Sequence, residues 1–203
     1  MSTIETKRND ILNFYKLFIE GYILEDLEIL KSINPDHLGR KGCTIPTAMA
    51  IISSMDLLGF LIYEKAETGK SAENISNFIV LSKLFPEYYD NNAIDKICNY
   101  RQGMMHHFFP KFKGQFAGIC KNETNSLLLI PTGINGEESL NVSVLAKDFI
   151  NAIYRFKIFL ENTKEEKILD TMLNGLKNLD YYMQIPSTIT ICTTINPGTP
   201  KNK

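Results

Sequence analysis

Apolar residues return at helical spacing through most of this chain, and that periodicity constrains its fold more than any other feature. Ile11, Phe14, Tyr15, Phe18, Tyr22, Leu27 and Leu30 recur mostly every three or four residues with acids and lysines between them, the pattern that lines one face of an α-helix. The spacing predicts a first long helix over 11–30, broken near Gly21. A loop over 34–44 holds Pro35, Gly39 and Gly42, and Pro46 then suits the first turn of a second helix over 46–64, where its missing N–H is harmless. Ser71 is the expected N-cap of a third helix over 74–84, which ends by Pro86. A fourth, over 91–106, carries Ile94, Ile97 and Tyr100 on one side and is stopped by Pro110.

The pattern changes after residue 114. Segments 115–120 and 126–131 are short and apolar, they flank the turn-prone stretch 121–125, and 140–142 offers a third strand. A small antiparallel β insertion, a hairpin with an added strand, is expected over about 115–143, with Gly133-Ile134-Asn135-Gly136 as a turn. Helical spacing resumes through Val144, Phe149, Ile153, Phe156 and Leu160, with Ser143 as the expected cap, and again over 164–179. Residues 184–203 are rich in Thr and Pro, with Ile185, Ile189, Ile191 and Ile195 as their large apolar groups. This tail reads as an edge strand or a loosely attached segment. The whole is a mainly α fold, a single domain over 1–183 followed by the tail.

At 203 residues, with 44% hydrophobic and 22% charged residues, the chain has the composition of one ordinary globular domain. Its net charge of -1 and pI near 6.3 supply no global positive field, so any contact with nucleic acid has to be local. The first ten residues lack the apolar core of a signal peptide, and no apolar run approaches the length of a bilayer span, so a cytoplasmic protein without a membrane partner is expected. Cys43, Cys98, Cys120 and Cys192 are far apart with no CxxC pair; they read as small buried hydrophobes, not as metal ligands or disulfide partners. Phosphate loops, dinucleotide-binding turns, nucleophile elbows and zinc-protease motifs are absent. No metal or cofactor is expected.

One segment concentrates chemistry. Tyr100-Arg101-Gln102-Gly103-Met104-Met105-His106-His107-Phe108-Phe109-Pro110-Lys111 gathers an arginine, a lysine and two of the chain's three histidines at one helix end. Arg101 and His106 supply a fixed cation and a group that moves protons near neutral pH, which suits phosphodiester cleavage by an RNA 2′-hydroxyl. The same residues also suit a structural role, with Arg101 paired to a neighbouring carboxylate and a histidine capping the last carbonyls. Five residues at ~100° each leave the two side chains roughly 140° apart. Arginine's reach, a helix relaxed at Gly103, or a second subunit must close that gap. Asp56 lies in the apolar stretch 48–61 and needs either a cation such as Arg101 or a solvent-facing strip.

The Arg-x4-His spacing of Arg101 and His106 resembles the HEPN superfamily, whose members carry such a motif near the end of a late helix in a four- or five-helix bundle. The longer string from Tyr100 to Lys111 is similar to bacterial HEPN-like proteins that read Tyr-Arg-Asn-Gly-Leu-x-His, followed by an aromatic, Pro and Lys. In those proteins an earlier helix carries an acid within an apolar stretch ending in Leu-Gly, the form of Met55-Asp56-Leu57-Leu58-Gly59-Phe60. The resemblance covers about 45–111 by motif and the rest by helical character. It implies a homodimer with facing motifs and a metal-independent endoribonuclease of the kind found in toxin–antitoxin and phage-defence systems. His106 would be the general base or acid, Arg101 the phosphate ligand and Asp56 its orienting partner, with Tyr100, Gln102, His107 and Lys111 as further substrate contacts. The chain departs from ribonuclease members at Gln102, where they carry Asn, Asp or His. This keeps open a second reading, a non-catalytic module holding a nucleotide or nucleotide-derived signal in the same cleft. The adjacent aromatic pairs Tyr88/Tyr89, Phe108/Phe109 and Tyr181/Tyr182 keep open a third, a surface that docks a protein partner.

Overall fold

The computed structural model describes residues 3–33, 43–63, 70–107, 111–112, 115–116, 118–132 and 137–179, with 81, 105–107, 111–112 and 115–116 described by backbone alone. The expectations for the tail 184–203, for Cys192, for the 133–136 turn, and for the Phe108/Phe109 and Tyr181/Tyr182 pairs lie outside these residues. The fold is mainly helical with a small mixed sheet.

Helix α1 (Ile4–Phe14), a π-helical stretch (Tyr15–Leu24) and α2 (Glu25–Ser32) run end to end. The expected break at Gly21 is instead this stretch of wider helix, and its effect is a change of phase. Buried side chains fall at Ile11, Tyr15, Ile19, Leu24 and Leu27; the five-residue step from Ile19 to Leu24 is the i to i+5 spacing of a π turn. Phe18 and Tyr22, expected on the inner face, are exposed, and Ile19 and Leu24 take their place.

Helix α3 (Thr44–Ile62) is the centre of the bundle and packs against α2, α4 (Ser71–Ser82), α5 (Asn91–His107), α6 (Val142–Asn162) and α7 (Glu166–Asn178). Among the described residues it alone is long and apolar enough to cross a membrane by length and composition, contrary to the expectation that no run approached that length. Its neighbours account for the apolarity: Ala48, Ile51, Ile52, Met55, Leu58 and Leu61 are almost fully buried in the core they form with α4, α6 and α7. Two glycines bring the helices close. A Cβ on Gly59 would lie 1.8 Å from the backbone oxygen of Asn74 on α4, and one on Gly175 of α7 would lie 3.0 Å from the Leu61 side chain. Helix α4 begins with Ser71 itself in the first turn rather than at the cap, and it ends at Lys83, whose φ of 52° turns the chain left-handed.

The β region differs from the expected hairpin. Strands β1 (Lys111–Phe112) and β2 (Gln115–Phe116) pair with each other, while β3 (Gly118–Cys120), β4 (Leu129–Pro131) and β5 (Glu138–Asn141) form a sheet of order β3-β5-β4. β3 runs parallel to β5, and β4 antiparallel to it. β5 takes the centre because Leu140 and Asn141 are its fully buried residues, and a central strand satisfies its backbone on both sides. Alternation of apolar residues identifies strands but carries no information about which strand becomes the middle one.

Asn141 fastens this sheet to the bundle. Its side-chain oxygen accepts from the N–H of Ser143, which caps α6, and from the N–H of Asn122; its Nδ2 donates to the carbonyls of Asn122, Asn125 and Leu127. The cap is thus Asn141 rather than Ser143. Two cations close other helix ends: Arg8 donates to the carbonyl of Thr163 after α6, and Lys121 to that of Lys31 in α2. Asp148 of α6 accepts from the hydroxyls of both Tyr88 and Tyr89, so this aromatic pair is divided, with Tyr89 buried and Tyr88 half-exposed. Cys43, Cys98 and Cys120 are only partly buried, less enclosed than expected.

Two outcomes follow from this packing. Asn141→Ala removes a helix cap and strands several backbone groups, and is expected to cost about 2 to 3 kcal/mol in urea denaturation. Burial raises the hydroxyl pKa of Tyr15, Tyr88, Tyr89 and Tyr100, that of Tyr100 to about 12. Because these folded-state values are raised, their contribution is complete below the unfolded tyrosine value of about 10 and is lost as pH rises toward the folded values. The urea midpoint should therefore fall between about pH 9.5 and about pH 11.5; a flat profile would contradict the buried hydroxyls.

Candidate active site at the meeting of three helices

Helix α5 is held along its length from two sides. Ile94, Ile97, Tyr100 and Met104 are buried in the core. On the sheet side Lys96 pairs with Glu138 of β5, and the Tyr100 hydroxyl donates to the Glu138 carbonyl at 3.1 Å. On the other side Arg101 Nη2 donates to Asp56 Oδ2 of α3 at 3.1 Å. These anchors set the rotation of α5 about its axis, and with it the direction of Arg101.

The carboxylate of Asp56 is shared. Asn74 of α4 donates through Nδ2 to Asp56 Oδ1 at 2.9 Å, so each carboxylate oxygen has one donor, from a different helix. Asp56 and Arg101 keep 18% and 26% of their side-chain surface exposed, which places the pair at the edge of the core, within reach of water. Asn74 is only 3% exposed. Arg101 Nε and Asn74 Oδ1 are buried without hydrogen-bond partners among the described residues. Arginine and carboxylate commonly pair as a two-bond fork; here the pair makes one bond.

Asn74 went unnoticed in the sequence, although a signal for it exists. Ser71, Asn74, Ile75, Phe78 and Ile79 lie on one face of α4 at helical spacing, so an amide on that face must point inward and find a partner. Gly59 carries the complementary signal. It lies one turn after Asp56, and its missing Cβ lets the α4 backbone reach α3 at Asn74, which brings the amide over the carboxylate.

The remaining candidates separate. Gln102 is exposed beside Arg101. Tyr100 is 1% exposed with its hydroxyl committed to Glu138, which makes it a core residue that orients α5 and not a surface that touches substrate. His106 and His107 belong to α5 and Lys111 to β1, and their side chains lie outside the described residues. Helix α5 continues through Gly103 to His107, which removes the relaxed helix end as a way of bringing Arg101 and His106 together. Cys98, one turn before Gln102, donates to the Ala72 carbonyl; burial first, then Asp95 and Asp56, push its thiol up to about 11, so it is a poor nucleophile near neutral pH. Among the described residues no three metal-ligating side chains converge.

Comparison with family models, with curated proteins and with solved structures found no match in any of the three.

Removing either partner of the pair leaves the other partly buried and uncompensated. Asp56→Ala and Arg101→Ala should each destabilise the protein by about 2 kcal/mol, and the double variant by less than their sum, with a coupling of about 1 kcal/mol. Strict additivity in urea denaturation would mean that the ion pair contributes nothing to the fold.

Proposed function

We propose that this protein is a HEPN-like helical bundle that acts on RNA as a metal-independent endoribonuclease through Arg101 and His106. The observation that carries the reading is Arg101 at the water-accessible edge of the core, oriented by Asp56 and five residues before His106 on one unbroken helix. A guanidinium so placed meets a phosphodiester as a fixed positive charge, already partly desolvated.

In the proposed reaction an imidazole withdraws the proton of a ribose 2′-hydroxyl, and that oxygen attacks the adjacent phosphorus. The guanidinium of Arg101 binds the non-bridging oxygens as their charge grows. The bond from phosphorus to the 5′-oxygen breaks, a proton reaches the leaving oxygen, and the products are a 2′,3′-cyclic phosphate and a 5′-hydroxyl. The chemistry uses one proton acceptor and one proton donor. On a straight helix Arg101 and His106 point roughly 140° apart, so a homodimer with facing copies of α5 supplies the second imidazole and closes the angle. The proposed setting is the cytoplasm, in a toxin or phage-defence role.

A second reading has two observations in its favour. Gln102 stands where ribonuclease members carry a shorter polar group or His, and the net charge of -1 offers little general attraction for a long polyanion. Arg101 and His106 then bind a nucleotide or a nucleotide-derived signal without cleaving it.

Purified protein and His106→Ala, each incubated with end-labelled RNA in EDTA, separate the two. Cleavage by the wild type to cyclic-phosphate ends, reduced at least about a hundredfold in the variant, is the expected result. Nucleotide binding that Arg101→Ala abolishes, with no cleavage by the wild type, would replace the enzyme with the binding module.

A further inference from the structure

Arg101 is held to Asp56 by one bond where such pairs commonly make two, and a second donor to the carboxylate lies on the neighbouring helix. The carboxylate oxygen left unused by Arg101 accepts from the Asn74 amide at 2.9 Å, while Arg101 Nε is buried with no partner among the described residues. The amide orientation is set by the contact itself, since turning Asn74 Oδ1 toward Asp56 would place two acceptors face to face. Asn74 is in turn fixed by the backbone approach at Gly59, and its own Oδ1 has no partner among the described residues.

We propose that Asn74 is a positioning residue that keeps Arg101 singly tethered. By bonding Asp56 Oδ1 it fixes the rotation of the carboxylate toward α4 and away from the two-bond fork, so that Arg101 surrenders one hydrogen bond, not two, when it turns toward an incoming phosphate. Asp56 sets the direction of the guanidinium, and Asn74 limits how firmly that direction is enforced. The orphaned Nε is the structural trace of this competition. A buried donor without a partner is costly, so its position beside a singly bonded ion pair calls for an explanation. The role in phosphate recognition rests on the reading of Arg101 as a phosphate ligand; the competition for Asp56 stands without it.

The test uses the full chain, ¹⁵N-labelled at arginine, with Asn74→Leu, which keeps the approximate shape of the side chain and removes its hydrogen bonds. In the wild type the Arg101 Nε–H resonance is expected at the position of a guanidinium N–H that has no carboxylate acceptor, and in Asn74→Leu it should move downfield as the fork forms. Affinity for a short single-stranded RNA, and for inorganic phosphate as the minimal probe, should fall about tenfold in the variant, the scale of one extra charge-assisted bond to be broken. A wild-type Nε–H already at the carboxylate-bonded position overturns the proposal whether or not the variant folds. So does a folded Asn74→Leu whose resonance and affinities match the wild type. If the resonance shifts as expected while wild type binds neither probe, the positioning role of Asn74 holds and the phosphate-binding reading of Arg101 falls.

Discussion

A carboxylate in the middle of the most apolar helix sets the terms for the rest of this structure. Asp56 is surrounded on α3 by residues that want the core, and an ionised group in that position needs donors from outside its own helix. It finds one on α4 and one on α5. The three helices are therefore joined at a point where hydrophobic packing alone would leave their relative rotation free, because a greasy surface is tolerant of small rotations and a hydrogen bond is directional. Gly59 belongs to the same device, since the amide reaches the carboxylate only if the two backbones come into contact.

The far side of α5 is held by a different kind of link. Lys96 and Tyr100 tie it to β5, and β5 is itself secured through Asn141, whose single side chain serves the loop at 122–127 and the first turn of α6. The sheet is small, and by itself a few short strands have little stability. Placed against α5 and α6 it acts as a clamp that fixes the helix bearing Arg101. Arg101 thus inherits its position from two polar junctions on opposite faces of one helix, the preorganisation on which the proposed function draws.

Much of this was legible in the residues, and the exceptions share a cause. The helices over 46–64, 74–84, 91–106 and 164–179 lie within a few residues of the observed elements, since periodic burial and punctuation by Pro and Gly are local signals. Phe18 and Tyr22 were assigned to the wrong face because a π turn adds one residue to the cycle, and nothing local distinguishes Ile19 from Phe18 as the inward residue. The parallel pairing of β3 with β5 was invisible for a related reason. Strand order depends on which strand the bundle buries, and that is decided by the docking of Leu140 and Asn141. At the site, Asp56 and Arg101 stood out as a charge in an apolar run and a cation at a helix end. Asn74 did not, because an asparagine is unremarkable until its helical face is known.

The sequence by itself determined the helical character of the chain, the helix ends marked by proline and glycine, and the presence of an acid within α3 that required a cation or water. These are consequences of local sterics and of the cost of burying charge, and both act through nearest neighbours along the chain. Tertiary structure alone decided that the acid is divided between two helices, that Arg101 makes a single bond to it, and that β5 lies at the centre of its sheet. Each depends on distances between segments far apart in sequence, and those are set only when the backbones of α3 and α4 meet at Gly59 and the sheet closes onto α5.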